Sequence, residues 1–292
     1  MVNSPIPVHR RRYSNELKKH ISCYREKIAN EEGRRFKQKK LLMNSSNGTL
    51  YSAIDDMTDN EVILKNIDPK GSTMMTMESG DRVPSEIYYH FAAYAVCPEH
   101  VVQPLDYFTE LDGTFVLAME RPVGYADLLE VCQQYAPIDE KSSFTIVEQL
   151  AKTCQTLHQH GIVHGDVKLE NTLMDLKTLQ VKLIDFGSAM SVAAIEKTKA
   201  VPASTPRYQP PEHVAHGEYQ IDETLVWSLG SILYILLVGE WCYDEDDEEW
   251  VRDRESEEHL STMAVFLIGQ TLNYKRCLRI SSSGLLQMLA KL

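Results

Sequence analysis

The chain has 292 residues, enough for one large domain or two small ones, and 43% of them are hydrophobic, as in proteins with a buried core. No apolar run approaches the length of a bilayer span, and no apolar stretch follows the basic N-terminus, which argues against membrane-spanning and secreted proteins. The six cysteines include no Cys-x-x-Cys pair, which argues against disulfide and zinc frameworks. We therefore expect a reducing intracellular location, cytoplasmic or nuclear.

The net charge of −12 is unevenly distributed. Residues 1–40 hold 12 Lys or Arg and 4 Asp or Glu, a net +8, and the remainder holds 18 against 38, a net −20. The basic extension is either a solvated tail, disordered or partly helical between Tyr13 and Lys40, or an arm that docks on the acidic body, an anionic membrane surface or nucleic acid. The sequence leaves these alternatives open. We assign 1–40 to this extension and 41–292 to one domain.

A strand-like pattern begins at Leu41. Residues 41–55 and 61–67 predict two strands joined by the polar turn 55–60. The second of these strands contains Val62-Ile63-Leu64-Lys65. A helical run begins at Glu86, where the preceding Pro84 favours a helix start.

The next segments predict a second hairpin and two helices. Residues 101–110 and 113–121 form the apolar strands of the hairpin, and Glu120 lies at its end. Residues 127–135 predict a short helix. Residues 142–160 keep helical spacing over a longer stretch, and Gly161 supplies the stop signal.

Two short motifs then follow in order. The first is His164-Gly165-Asp166-Val167-Lys168-Leu169-Glu170-Asn171, and the second is Leu183-Ile184-Asp185-Phe186-Gly187, with a short apolar strand leading into it. An isolated Asp-Phe-Gly is usually a turn at the end of a strand. Two motifs in this order and context are not explained by coincidence. Tyr208-Gln209-Pro210-Pro211-Glu212 and a predicted buried helix over 226–238 come later.

Together these motifs resemble those of the Ser/Thr protein kinases over roughly residues 41–292, and within that family the PIM kinases. The residues that carry the likeness to PIM kinases are Val83–Glu86, Glu120–Pro122, Asp127–Leu128, Lys182–Ser188, Tyr208, Pro210–Glu212 and Val226–Gly230. The resemblance implies an α+β, two-lobed protein-kinase fold. Its N-lobe, about 41–121, would be a small antiparallel β-sheet plus a helix, and its C-lobe, about 122–292, mainly α-helical.

The resemblance also implies roles for residues of the two motifs. Phosphoryl transfer passes through a loose transition state that needs positioning and charge neutralisation. Asp166 would orient the attacking hydroxyl and accept its proton, and Lys168 would reach the transferring phosphate. Asn171 and Asp185 would hold Mg²⁺ on the phosphates of ATP.

The N-lobe would supply the other ATP contacts. Lys65 would hold the α and β phosphates and form an ion pair with Glu86. Gly48 takes the place of the third glycine of the phosphate loop, and the carbonyl of Glu120 would accept from the adenine amine. The resemblance therefore implies ATP bound in the cleft against Glu120.

The sequence departs from the family pattern at two places. Gly165 stands where the family has the arginine that receives a phosphorylated activation-loop residue, so we expect little dependence on such phosphorylation. Met43 and Ser45 replace the first two glycines of the phosphate loop. Arg279 is the candidate ion-pair partner of Glu212.

PIM-like kinases select protein substrates with basic residues near the target hydroxyl. Asp127, Glu170 and the acidic run 244–249 are candidates for the matching negative charge, although most of that run is expected to be a solvated loop. We expect a monomer without a membrane span.

The sequence thus predicts a protein serine/threonine kinase that uses ATP and Mg²⁺. One alternative is a pseudokinase, a scaffold or allosteric partner with the same fold, which Gly165 and the glycine-poor loop favour. A complete set of catalytic motif residues argues against it. The other alternative is a binding protein whose basic arm contacts nucleic acid or an anionic membrane.

Overall fold

The computed structural model describes residues 35–45, 48–198, 200–244, 249–250 and 255–292. The basic arm up to residue 34 and most of the acidic run 244–249 lie outside these residues, so the hypotheses about them stay predictions. The chain forms two compact units, and in sequence the second begins at Gly124.

The first unit is built on an antiparallel sheet. In chain order its strands are β1 (Phe36–Ser45), β2 (Gly48–Asp55), β3 (Asn60–Ile67), β4 (Met74–Thr76), β5 (Arg82–Pro84), β6 (Pro104–Thr109) and β7 (Phe115–Glu120). Five of them form one sheet in the order β1-β2-β3-β7-β6, and β4 pairs with β5. Helix α1 (Ser85–Val96) begins directly after Pro84, as the sequence predicts.

The start of this sheet differs from the prediction in two ways. The single strand predicted over 41–55 is wrong, because β1 and β2 are separate strands that pair antiparallel, with Met43 opposite Leu50. The polar residues 44–47 and Gly48 are a turn signal at this place, and the predicted strand was wrongly continued through it. Residues 36–40 belong to β1, so a helix over Tyr13 to Lys40 does not extend through them.

Two contacts explain why the sheet begins as early as Phe36. The Phe36 ring stacks on Phe108 with centroids 5.9 Å apart. The Arg35 guanidinium donates to both carboxylate oxygens of Asp55, at 2.9 and 2.7 Å, and to Asp106 at 3.1 Å. The basic residue beside β1 is therefore neutralised within the sheet.

The core of the first unit follows the period of two that strands impose on side chains. The buried apolar residues on one face are Ala53, Val62, Leu64, Val116 and Ala118. Tyr51, Leu105 and Phe108 pack against them. Lys65 lies next to Leu64 on the same strand, so the sheet carries it on the opposite face.

The second unit is mainly helical. Its helices are α2 (Leu128–Tyr135), α3 (Glu140–Gln159), α4 (Val192–Thr198), α5 (Pro211–His216), α6 (Ile221–Val238), α7 (Thr262–Thr271) and α8 (Ser282–Leu289). Its strands are β8 (Tyr125–Asp127), β9 (Ile162–Val163), β10 (Thr172–Asp175), β11 (Val181–Leu183), β12 (Met190–Ser191), β13 (Tyr243–Asp244) and β14 (Glu249–Trp250). They pair as β11-β10-β8, β12-β9 and β13-β14.

Local sequence accounts for the ends of the helices. The Asp127 carboxylate accepts from the N–H groups of Leu129 and Glu130 and caps α2. Asp139 caps α3 in the same way through Ser142. Helices α5 and α6 each end on a glycine in the left-handed conformation. These bounds confirm the helices predicted over 127–135 and 142–160 to within two residues at the N-terminal ends.

Helix α6 is the centre of the second unit and packs against α3, α7 and α8. It is 18 residues long and apolar, so by length and composition it approaches a membrane span, contrary to the expectation from the sequence. Because 83% of it is buried inside the unit, it is accounted for as a core helix. It was the one candidate span among the described residues.

The predicted ion pair between Glu212 and Arg279 is confirmed. Arg279 donates to the two Glu212 oxygens at 2.6 and 3.1 Å, to the carbonyl of Asn273, and lies 4.8 Å from the Trp227 ring centre. Burial alone raises the pKa of Glu212, but the hydrogen bonds and charge of Arg279 outweigh it and lower the pKa. The pair ties α5 to the segment before α8.

Two glycines bracket β9, and both have left-handed backbone angles. Gly161 has a φ of +77° and Gly165 a φ of +87°. A Cβ atom on Gly161 would meet nothing within 4 Å. A Cβ atom on Gly165 would collide with the carbonyl oxygen of Ser188 and lie 2.7 Å from Cβ of Pro202. The chain around Ser188 and Pro202 therefore packs directly on the Gly165 backbone.

We predict that Gly165→Ala destabilises the protein more than Gly161→Ala. Both changes force alanine into the left-handed region, at a cost of about 1–2 kcal/mol. Only Gly165→Ala adds a collision with backbone, which costs about 1–3 kcal/mol more. Urea unfolding of the two variants measures the difference. Equal losses would mean that the segment around Ser188 and Pro202 moves aside freely.

Candidate active site

The predicted catalytic residues of the second unit lie between β9 and β10. At one end of this segment β9 pairs with β12, and at the other β10 pairs with β11 and β8. A short 3-10 turn, Leu169–Asn171, precedes β10. The Thr172 hydroxyl donates to the Lys168 carbonyl at 2.9 Å. The segment is therefore held at both ends and within its own turn.

The Asp166 carboxylate accepts hydrogen bonds from three residues. Lys168 Nζ lies 2.6 Å from Oδ2, and the side-chain amide of Asn171 donates to Oδ2 at 3.2 Å. The backbone N–H of Thr205 donates to Oδ1 at 2.8 Å. Asn171 also donates to the Asp166 carbonyl at 2.8 Å. The structure thus brings three of the predicted site residues, Asp166, Lys168 and Asn171, into direct contact.

Thr205 contacts the site with both its backbone and its side chain. Lys168 Nζ donates to the Thr205 hydroxyl at 2.6 Å, in addition to its ion pair with Asp166. Thr205 thus contacts Asp166 through its backbone N–H and Lys168 through its hydroxyl. The ammonium group is therefore fixed between an anionic and a neutral oxygen.

His164 is buried and joins the two motifs. Asp166 N–H donates to Nδ1 at 3.3 Å, and Nε2 lies 3.0 Å from the Ile184 carbonyl, which fits a neutral ring with its proton on Nε2. Burial lowers the pKa of His164 and favours the neutral form. Its ring centroid lies 4.8 Å from that of Phe186. His164 therefore has a structural role beside Asp166.

Asp185 occupies the left-handed backbone region with a φ of +59°, which aspartate tolerates better than most residues. Its Oδ1 accepts from the Gly187 N–H at 3.1 Å. The neighbouring Phe186 is fully buried. The buried ring and this local hydrogen bond together fix the turn that presents the Asp185 carboxylate.

Asn171 and Asp185 fit the ligand chemistry of magnesium. Carboxylate and amide oxygens are hard ligands of the kind that Mg²⁺ prefers. Because the NH₂ group of Asn171 donates to Asp166, its Oδ1 is the side-chain atom suited to a cation. In the described part of the chain no group of three His, Cys, Asp or Glu residues is arranged to hold a metal. Such an ion would therefore take the rest of its oxygen ligands from phosphate and water.

In the first unit, Lys65 and Glu86 form the ion pair that the sequence predicted. Lys65 Nζ lies 2.6 Å from Glu86 Oε1, and only 7% and 10% of the two side chains are exposed. β3 carries the lysine and the first turn of α1 carries the glutamate. Since breaking a buried pair leaves an uncompensated charge, each residue depends on the other.

Gly48 is required by the sheet itself. Its φ is +120°, and a Cβ atom there would collide with the carbonyl oxygen of Asn66 on β3 and lie 3.6 Å from Cε of Lys65. The sequence interpretation gave this glycine a role in close approach to phosphate. The structure adds a packing reason for it beside Lys65.

Glu120 ends β7 opposite Val62 of β3. Its N–H donates to the Gln103 carbonyl at 2.9 Å, and its Oε1 accepts from the Gln103 N–H at 2.9 Å. The N–H and the side chain of Glu120 thus both bind Gln103. The sequence prediction concerns a third group, the Glu120 backbone carbonyl, which would accept from the adenine amine.

Tyr208 is a site residue to which the sequence interpretation gave no role. Its hydroxyl donates to Glu170 Oε2 at 2.9 Å and accepts from the Leu169 N–H at 3.3 Å. Burial and then the charge of Glu170 raise the pKa of Tyr208 well above its usual range, so it remains a donor. Its position before Pro-Pro-Glu was the available signal, but spacing alone did not predict which carboxylate it meets.

Comparison with known proteins agrees with this geometry. The family model described as "Protein kinase domain" matches residues 36–291. The serine/threonine-protein kinase pim-2 of Danio rerio is 29% identical over 187 residues, 64% of this chain and 60% of that protein. The serine/threonine-protein kinase prk-2 of Caenorhabditis elegans is 31% identical over 206 residues, 70% of this chain and 45% of that protein.

A third relative is the serine/threonine-protein kinase ppk16 of Schizosaccharomyces pombe, 30% identical over 244 residues, 83% of this chain and 32% of that protein. The matched region spans less than two thirds of the length of each of these relatives. The resemblance to Ser/Thr kinases, and more modestly to PIM kinases, is confirmed. With the family model covering 36–291 and the motif residues in contact as described, the chain belongs to the protein kinase domain family.

Proposed function

We propose that this protein is a serine/threonine kinase that transfers the γ-phosphate of Mg-ATP to Ser or Thr hydroxyls of protein substrates. The arrangement around Asp166 is the observation that carries the proposal. A buried carboxylate has its two oxygens held by Lys168, Asn171 and Thr205 and is thereby aimed before any substrate binds.

In this mechanism Asp166 orients the substrate hydroxyl and accepts its proton as the oxygen attacks phosphorus. Lys168 binds Asp166 and Thr205 in the structure. In the reaction it supplies positive charge to the negatively charged phosphoryl group that is transferred. Asn171 orients Asp166 by donating to both its backbone and its side chain.

Asn171 Oδ1 and the Asp185 carboxylate would hold Mg²⁺, which when bound neutralises charge on the phosphates. We assign nucleotide binding to the first unit's Lys65, Gly48 and Glu120. Lys65 would hold phosphate oxygens, and Glu86 would keep its ammonium group oriented. The Glu120 carbonyl would accept from the adenine amine.

The pseudokinase alternative gains no support from the geometry. Gly165, which favoured it, has a steric explanation, because Ser188 and Pro202 leave no room for a side chain there. The ion pair Lys65–Glu86 and the contacts of Asp166 are both formed. The described motif residues are thus arranged for catalysis.

Negative charge near the substrate hydroxyl supports a preference for basic substrates. Burial raises the pKa of Asp127, two backbone N–H groups lower it, and the charges of Glu130 and Glu170 raise it further. A lysine or arginine of a substrate would relieve this repulsion. We therefore assign the recognition of a basic substrate residue to Asp127 and Glu170, the latter held by Tyr208.

The contacts of the activation segment support a low dependence on phosphorylation. Ser191 Oγ caps α4 by accepting from the Ala194 N–H at 3.0 Å, and the Thr198 hydroxyl donates to the Ala194 carbonyl at 2.8 Å. Gly165 provides no cation for a phosphate group. Ser191 and Thr198 are thus held by uncharged contacts, and the charged partners of the segment, Lys168 and Asp166, bind Thr205 instead.

Replacement of the base tests the proposed reaction. We expect the purified chain to transfer phosphate from Mg-ATP to an arginine-rich Ser peptide, and Asp166→Asn to lower kcat by about 10²–10⁴-fold, as for loss of a general base. The assay is incorporation of labelled phosphate. Lys152→Gln, an exposed lysine on α3, serves as the control and should keep full activity.

Equal transfer by the parent chain and Asp166→Asn would contradict the role of Asp166. No transfer to this peptide, to other basic peptides or to the chain itself, at full ATP binding, would contradict the proposed function. Mass spectrometry of the product identifies the modified hydroxyl.

Glu170→Gln tests the basic preference. The variant keeps an acceptor for Tyr208 but loses the charge, so KM for an arginine-containing peptide should rise about tenfold, the loss of one charge-assisted hydrogen bond. KM for the same peptide with alanine at the arginines should not change. Glu148→Gln, whose partner Lys152 is on the surface, controls for net charge. An equal rise for both peptides would exclude charge recognition by Glu170.

Two replacements in the activation segment test its independence of phosphorylation. Ser191→Asn retains a side chain that can cap α4, and Thr198→Ala removes one exposed hydrogen bond. Neither replacement residue can be phosphorylated. We expect kcat/KM to stay within about twofold for both, because the contacts that Ser191 and Thr198 make are local and uncharged. A tenfold or larger loss in either variant, matched by phosphatase treatment of the parent chain, would contradict the proposal.

A further inference from the structure

A small cavity lies beneath the catalytic segment in the second unit. Its volume is about 20 Å³, and it is lined by residues of α3, of the segment that follows β9 and of α6. Among them are His158, His164, Gly165, Tyr219, Thr224 and Leu225. The cavity is thus bounded on one side by the residue directly before Asp166.

The Thr224 hydroxyl is a buried polar group that no described residue satisfies. Thr224 is 6% exposed, and its Oγ1 has no hydrogen-bond partner. Ser228 lines the same cavity, but its hydroxyl donates to the carbonyls of Tyr208 and Thr224 itself. An unsatisfied buried hydroxyl costs about 1–3 kcal/mol, so an additional partner is expected.

The Gly165 backbone offers the complementary group. No described residue accepts a hydrogen bond from its N–H. Ser188 and Pro202 pack closely on Gly165, where an added Cβ atom would collide with them, so the backbone has little room to shift toward these residues. His158 adds imidazole nitrogens to the lining and Tyr219 adds a hydroxyl. Burial lowers the pKa of His158, so its ring is neutral and can accept a hydrogen bond.

We propose that one ordered water molecule occupies this cavity, bonded to Thr224 Oγ1 and to the Gly165 N–H, and that Thr224 is thereby a positioning residue for Asp166. The volume exceeds the roughly 10–15 Å³ that one water needs, and the site offers the two to four polar partners that a buried water makes. The neighbouring Leu225 has no polar atom to take this role.

The consequence for the reaction rests on the proposed kinase activity. The water fixes the backbone at Gly165, and the next residue carries the carboxylate that aims the attacking hydroxyl. The Asp166 backbone is held at its N–H by His164 and at its carbonyl by Asn171. The water adds a hold on the preceding residue, so its loss would let the loop shift at Gly165 and displace the carboxylate. Substrate binding residues such as Glu170 are not bonded to this water.

The first test is independent of activity. A crystal structure of the chain at a resolution that shows water should contain a water within hydrogen-bond distance of Thr224 Oγ1 and Gly165 N, and Thr224→Val should lack it. A Thr224 hydroxyl bonded instead to the Gln220 carbonyl, or a cavity without that water, would overturn the proposal whether or not the chain is a kinase.

The second test measures thermal stability, and the direction of the change in Tm decides between the two possibilities. Thr224→Val removes only the hydroxyl at constant shape. If the water bridges two groups, the variant leaves the Gly165 N–H unpaired, and Tm should fall by about 3 °C. If Thr224 is unsatisfied, its removal should raise Tm. Thr224→Ser, which keeps the hydroxyl, should retain the water and lose little.

The kinetic test applies once phosphate transfer by the parent chain is established. Thr224→Val should lower kcat about tenfold with KM for ATP and peptide unchanged, since misplacement of the base affects the chemical step. Thr224→Ser should restore kcat. Unchanged kcat in Thr224→Val, or an equal loss in Thr224→Ser, would contradict a positioning role.

Discussion

The hydrogen bonds to the Asp166 carboxylate are the constraint on which the second unit's site depends. They come from Lys168 and Asn171 in its own loop and from Thr205, 39 residues away along the chain. Two of these donors have another anchor: Lys168 on Thr205 and Asn171 on the Asp166 carbonyl. A buried carboxylate without hydrogen-bond donors is costly, and under the proposed mechanism the same donors aim the base. Fold and chemistry therefore require the same contacts.

Gly165 fixes how the neighbouring segment packs, and under the proposed function it also bears on regulation. Its left-handed backbone lets Ser188 and Pro202 approach where any Cβ atom would collide. The activation segment is thereby held by close packing, by the α4 cap at Ser191 and by Lys168 on Thr205. An arginine at this position would provide a receiver for phosphate but would exclude that approach. The two ways of ordering the segment exclude each other in this backbone conformation.

The sequence was informative where a family motif assigns a role to a position and silent where a contact depends on packing alone. The pairs Lys65–Glu86 and Glu212–Arg279 were predicted because the resemblance to kinases assigns partners to these motif positions, although the residues are far apart in the chain. The helix over 142–160 followed from its apolar spacing and the stop at Gly161. The division of 41–55 into β1 and β2 was missed because the predicted strand was continued through the polar turn signal at 44–48. The contact of Tyr208 with Glu170 and the cavity at Thr224 depend on packing, which no sequence period records.

Two buried hydroxyl groups on the apolar helix α6 lie where the helix meets the segments around the site. Most of the helix is buried, and apolar side chains fill most of its buried positions. Ser228 instead bonds the Tyr208 carbonyl, and Tyr208 in turn holds Glu170. Thr224, one turn earlier, lines the same cavity as Gly165. Because a buried hydroxyl is costly unless paired, both positions are best understood as supports by which the core helix fixes the loop that carries Asp166.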